Sequence, residues 1–137
     1  KLEINYIVKD FEKERLTSKY DVIIIFEVLE HLENWKSFLE KIQKNLKPKG
    51  VLIASTINRN LISKFLTIDL AENLLKWIPL NTHNYYKFIK PEELKDNLTA
   101  NNFKKIEFSG LSYNIFKQKW KMNNNKKVNY FCSSFLN

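Results

Sequence analysis

The chain is 137 residues long, the usual size of one domain, and its 44% hydrophobic and 14% aromatic content excludes a disordered polar tail. The net charge of +8 rests on lysine, with Arg15 and Arg59 the two guanidinium groups. Arginine forks that grip phosphates and bases are therefore scarce and no nucleic acid partner is expected, whereas attraction to an anionic membrane surface stays open.

Leu2–Val8 alternates apolar and polar residues and predicts a strand. A chain that starts at Lys1, directly into such a segment, reads as a truncated one. A charged connection over Asp10–Lys19 follows. Val22–Phe26 is β-branched and too short for a helix, which predicts a strand buried on both faces. It stops abruptly at Glu27, Glu30 and His31, at the carboxyl end of a strand, where open parallel sheets place their ligands. Leu32, Trp35, Phe38, Leu39, Ile42 and Leu46 recur at helical spacing, and Pro48 and Gly50 close that helix in a turn. Val51–Thr56 predicts a second buried strand, so the unit is βαβ and parallel.

Leu61–Ile78 is strongly apolar, with Asp69, Glu72 and Lys76 on one helical stripe. It reads either as a lid packed on the sheet, with 61–90 forming an insert, or as an amphipathic helix at a membrane interface. Pro91-Glu92-Glu93-Leu94 opens another helix, with proline and acids at its first turn. Phe103–Ser109 alternates as a strand broken by Gly110, and Lys126–Phe135 reads as its antiparallel partner beyond an exposed lysine- and asparagine-rich loop. Cys132, the single cysteine, excludes an intrachain disulfide and reads as a buried, inert thiol. No run is long and apolar enough to span a bilayer, and no signal peptide opens the chain. The order β–β–α–β–α–α–β–β predicts the later part of a doubly wound α/β sheet with a terminal hairpin, in a single partial domain.

If a helix starts at Glu27, the i, i+3, i+4 spacing of Glu27, Glu30 and His31 puts all three on one face. Two hard oxygens and an imidazole suit a divalent cation such as Mg²⁺, Mn²⁺ or Zn²⁺. His31 could instead act as a general base. An ordinary helix start, where acids are favourable anyway, is the competing reading.

Three blocks, Tyr20-Asp21-Val22 with Glu27-Val28-Leu29-Glu30-His31, Leu46–Gly50 with Ser55-Thr56-Ile57-Asn58-Arg59-Asn60, and Thr82–Leu94, occur in the order and spacing of one family. In these, and in Gly110–Asn114 and Val128-Asn129-Tyr130, the chain resembles the ubiquinone-biosynthesis O-methyltransferases, members of the class I S-adenosylmethionine-dependent methyltransferases. The resemblance implies a Rossmann-like sheet, here incomplete. The family's first strand and glycine-rich loop, which hold the cofactor's methionine tail, find no counterpart, and Gly50 and Gly110 are the chain's two glycines. Lys49, Ser112 and Ile115 depart from the family's usual glycine, histidine and proline.

The resemblance further implies methyl transfer from S-adenosylmethionine to a phenolic oxygen of a polyprenylated catechol or demethylubiquinol. Phe26 would line the cofactor's adenosine, and His83, Tyr113 and Asn129 would stand on the substrate side. A bound cation would stabilise the phenolate. The setting would be the cytoplasm, peripheral on the inner membrane, with a separate N-terminal segment as a candidate partner. Another small substrate of a class I methyltransferase, or a non-catalytic remnant, are the alternatives.

Overall fold

The computed structural model describes residues 3–15, 17–114 and 118–137, so Leu2 and Ile115 lie outside the described residues. Five strands form one mixed sheet in the order β1-β2-β5-β3-β4. They are β1 (Tyr20–Phe26), β2 (Leu46–Ile57), β3 (Phe103–Asn114), β4 (Lys119–Asn123) and β5 (Asn129–Leu136). β1 and β2 are parallel, as the predicted βαβ unit requires, and the remaining pairs are antiparallel.

Between β1 and β2 runs α1 (Trp35–Asn45). Asn34 caps it, its side chain accepting from the Ser37 amide at 3.0 Å. The turn predicted at Pro48 and Gly50 falls inside β2: Lys49 takes a left-handed backbone (φ 64°) where the pairing with β1 skips from Leu46 to Val51. Asn60 caps a helix that starts as an α-helix over Leu61–Lys64 and continues with π-helical winding over Phe65–Leu74; together these are α2. α3 (Pro91–Ala100) begins at a proline, as expected. Arg59 ties β2 to α3: its guanidinium pairs with Glu93 and donates to the Phe88 carbonyl at 3.2 Å.

The core lies on one sheet face. Ile25, Leu52, Ala54, Tyr130 and Cys132 meet Leu39 and Ile42 of α1 and Leu94 and Leu98 of α3. Each fully buried aliphatic side chain there contributes about 1.5–3 kcal/mol. Tyr130 is fully buried, and its hydroxyl donates to the Ile89 carbonyl at 2.9 Å, so the ring packs without an unpaired oxygen. Cys132 is a buried free thiol as expected, and burial pushes its pKa up to about 12.

Several expectations are corrected. Residues 3–8 form no strand, and Tyr6 and Val8 stand exposed, because an alternating pattern becomes a strand only when a neighbouring strand takes its hydrogen bonds. β1 is not buried on both faces: Ile23 and Ile25 face the helices, while Val22, Ile24 and Phe26 are about half-exposed on the other side. β1 also ends the sheet, so among the described residues its outer backbone edge is unpaired. A groove of about 430 Å³ runs along it, lined by Tyr20, Val22, Ile24 and Phe26 among others.

α2 stops at Leu74 instead of Ile78. Gly110 does not break β3: the strand runs through it, and the missing side chain makes room for the Asn125 carbonyl oxygen, which a Cβ there would meet at 1.8 Å. The expected exposed loop contains β4, whose lysines and asparagine suit a solvated edge strand.

Candidate active site

β1 delivers the chain to the carboxyl edge of the sheet, and Glu27 turns it away. No helix starts there: Glu27 adopts a left-handed φ of 52°, and a single 3₁₀ turn covers Leu29–His31. A non-glycine residue in this region is strained unless its surroundings hold it. Here they do. The Glu27 amide donates to the Ser55 carbonyl and hydroxyl oxygens, both at 3.1 Å. Its carboxylate accepts from the Ser55 hydroxyl at 2.6 Å and from the Asn129 side-chain amide at 3.1 Å. The ends of β2 and β5 thus clamp the residue that ends β1.

Glu30 lies deeper, only 2% exposed. The Thr56 hydroxyl donates to its Oε2 at 2.6 Å, whereas its Oε1 has no hydrogen-bond partner among the described residues. Burial raises its pKa to about 7, with the neighbouring Glu27 charge adding and the Thr56 hydrogen bond opposing. His31 sits at the mouth. Partial burial, then His83 and Lys87, hold its pKa below the ordinary 6.5 against the pull of Glu27. A neutral imidazole at neutral pH can accept a proton.

His83 packs against His31, with ring centroids 5.8 Å apart. Lys87 closes the rim by an ion pair to Glu33 at 2.7 Å. Phe26 offers a half-exposed ring at the strand end, met edge-on by Phe131 at 5.3 Å. The structure therefore brings Glu27 together with Glu30 and Asn129, and His31 together with His83. Tyr113 stays on the β3–β4 hairpin, stacked on Trp120 at 5.0 Å. No hydrogen bond or ring contact among the described residues joins it to the others.

Among the described residues, no three His, Cys, Asp or Glu side chains converge to hold a metal ion. The three candidate ligands are arranged otherwise: the turn at Glu27 replaces the helical face that would have aligned them, and the Glu27 carboxylate is engaged by Ser55 and Asn129. The divalent cation does not fit this arrangement. S-adenosylmethionine fits in part. Phe26 presents a half-exposed ring that would suit its adenosine, but neither glycine belongs to a loop that could seat the methionine tail; Gly50 packs under the Lys47 carbonyl and Gly110 under Asn125.

Reading the sequence alone misses Ser55 and Thr56 as site residues. Their signal is present: a polar pair ends the second apolar strand, and Ser55 is in register with Phe26. It also misses Glu72 as a site residue: placed on one stripe with Asp69 and Lys76, it is instead buried and accepts from the backbone amides of Thr82 and His83 at 3.1 and 3.2 Å.

Residues 3–107 match the family described as a methyltransferase domain. The chain is 42% identical over 130 residues to a ubiquinone biosynthesis O-methyltransferase of Rickettsia canadensis (strain McKiel), covering 95% of this chain and 55% of that protein. The protein of that name from Rickettsia typhi (strain ATCC VR-144 / Wilmington) is also 42% identical, with 95% and 53% covered. The chain therefore spans about half the length of the curated relatives it matches. A SAM-dependent methyltransferase from Archaeoglobus fulgidus superposes with a TM-score of 0.68 at 16% identity, over 97% of this chain and 68% of that one. Magnesium protoporphyrin IX methyltransferase from Synechocystis PCC 6803, with bound SAH, gives 0.60 at 18% identity, over 96% and 50%. At these identities the likeness shows the fold, that of class I methyltransferases.

Proposed function

The chain belongs to the methyltransferase-domain family, and from that premise we propose that it forms the substrate-side part of an S-adenosylmethionine-dependent O-methyltransferase of ubiquinone biosynthesis. The acceptor would be a phenolic oxygen of a polyprenylated catechol or demethylubiquinol. The observation that carries this reading is the group at the end of β1: a neutral-leaning His31 at the mouth, backed by Glu27 and the buried Glu30. A phenol holds its proton to a pKa of about 10, so transfer to its oxygen needs a proton acceptor. S-adenosylmethionine, when bound, supplies an electrophilic methyl group. His31 takes the phenolic proton on an imidazole nitrogen, and the nearby Glu27 carboxylate stabilises the resulting imidazolium. Asn129 and Ser55 hold Glu27 in place for this.

The test joins this polypeptide to the unmatched part of the Rickettsia canadensis protein and supplies isotope-labelled cofactor with a catechol. Label should appear on a catechol oxygen. His31→Ala should lower turnover on the order of 10²-fold while leaving cofactor affinity unchanged. Label appearing solely on a nitrogen or carbon acceptor would contradict the reading.

A polyprenylated substrate resides in a bilayer, and the segment after β2 suits that setting. No helix among the described residues is long and apolar enough to cross a membrane. Leu61, Phe65 and Trp77 nevertheless stand largely exposed in one stretch of chain. We propose that this segment is a lid whose outer face touches an anionic membrane surface, aided by the net charge of +8. The polypeptide should float with vesicles containing anionic lipid. Changing Leu61, Phe65 and Trp77 together to serine should weaken that binding about tenfold or more. Equal flotation of the variant would remove the interfacial role.

A further inference from the structure

Glu72 is the buried charge in this molecule with no part in the chemistry above. It is 2% exposed, within the π-helical stretch of α2. Its carboxylate is fully engaged by one short segment. Oε1 accepts from the Thr82 amide at 3.1 Å, while Oε2 takes the His83 amide at 3.2 Å and lies 3.2 Å from His83 Nδ1. Two backbone donors fix the loop, and the third contact fixes the ring. The His83 side chain is 10% exposed and wedged between His31, at 5.8 Å between centroids, and Phe88, at 6.1 Å.

We infer that Glu72 is a positioning residue that holds His83 with its proton on Nδ1, so that Nε2 is presented beside His31 as a hydrogen-bond acceptor for a substrate hydroxyl. The physical basis is that a carboxylate facing one ring nitrogen selects the tautomer carrying the proton there and leaves the other nitrogen's lone pair free. The same three contacts tie α2 to the Thr82-His83 segment, so α2 cannot move away from that segment without releasing the ring. A catechol carries two adjacent hydroxyls, and two neighbouring imidazoles match them, His31 taking the proton of one and His83 Nε2 accepting a hydrogen bond from the other. This last point rests on the proposed phenolic substrate; the positioning of His83 does not.

Long-range ¹⁵N–¹H correlation spectra of the 137-residue polypeptide, at about pH 8.5 where an ordinary imidazole is neutral, read the tautomer directly. In the unaltered protein, His83 should show a protonated Nδ1 and an unprotonated Nε2. In Glu72→Ala that preference should be lost, and in Glu72→Gln, whose carbonyl can still accept, it should be retained in part. A protonated Nε2 in the unaltered protein, measured without any variant, would overturn the proposal, as would an unchanged tautomer in a folded Glu72→Ala. Catechol at millimolar concentration should shift the His83 Nε2 resonance in the unaltered protein and not in Glu72→Ala. The expected tautomer without a catechol shift would overturn acceptance of a phenolic hydroxyl by Nε2 and leave the positioning role intact.

Discussion

Replacing Glu30 with glutamine should make the fold more stable at alkaline pH and leave it nearly unchanged in acid. The buried carboxyl of Glu30 has a pKa of about 7 in the folded state against an ordinary 4.5. Below the ordinary value the group is protonated in both states and costs nothing. As pH rises from there towards 7, the unfolded chain gives up its proton while the folded chain keeps it, so stability falls. Above 7 the full penalty applies, up to about 3 kcal/mol for this gap. Glutamine never ionises, and it retains an oxygen for the Thr56 hydroxyl. Urea midpoints should therefore coincide for the two proteins near about pH 4 and separate by the full amount near about pH 8.5. Midpoints that stay together at both values would mean that Glu30 is solvated or compensated in a way the buried geometry does not allow. The penalty has a functional sense: a carboxyl retained at a stability cost beside His31 is the kind of residue a site keeps and a core would not.

What the residues disclosed in advance followed from periodicity wherever periodicity was governed by one burying surface. α1, α3 and the antiparallel pairing of β3 with β5 have their apolar positions set by the single helix-covered face, whereas β1 is read from a continuous apolar run that overstates its burial. The errors arise where that condition fails. Residues 3–8 alternate correctly but have no strand beside them among the described residues. β4 carries lysines and asparagine because it is an edge, so its composition imitates a loop. Glu72 parts from the stripe it would share with Asp69 and Lys76 because the hydrogen bonds of a π-helix reach one residue further than those of an α-helix, so positions spaced for 3.6 residues per turn no longer share a side. Within the site, Glu27, Glu30 and His31 could be singled out from residue type and position, and His83 from the family resemblance. Their shared helical face could not be inferred, since it depended on Glu27 adopting a right-handed backbone and Ser55 holds it in the left-handed one.

The central claim is that these 137 residues carry the substrate side of a methyltransferase site and depend on another polypeptide segment for the cofactor. Among the described residues β1 presents an unpaired edge, and Val22, Ile24 and Phe26 form a half-exposed apolar face, the surface that a further strand and helix layer would cover. Phe26 would supply a wall for S-adenosylmethionine but no anchor for its amino-acid end, a charged group that backbone amides at a helix N-terminus are suited to hold. Isothermal titration of S-adenosylmethionine into the polypeptide, alone and then mixed with the unmatched segment of the Rickettsia canadensis protein, tests this directly, with amide exchange followed at Val22–Phe26. The account predicts no binding at micromolar cofactor and fast exchange along β1 for the polypeptide alone, then binding and β1 protection gained together once the segment is supplied. Tight cofactor binding by the unsupplemented polypeptide would contradict it.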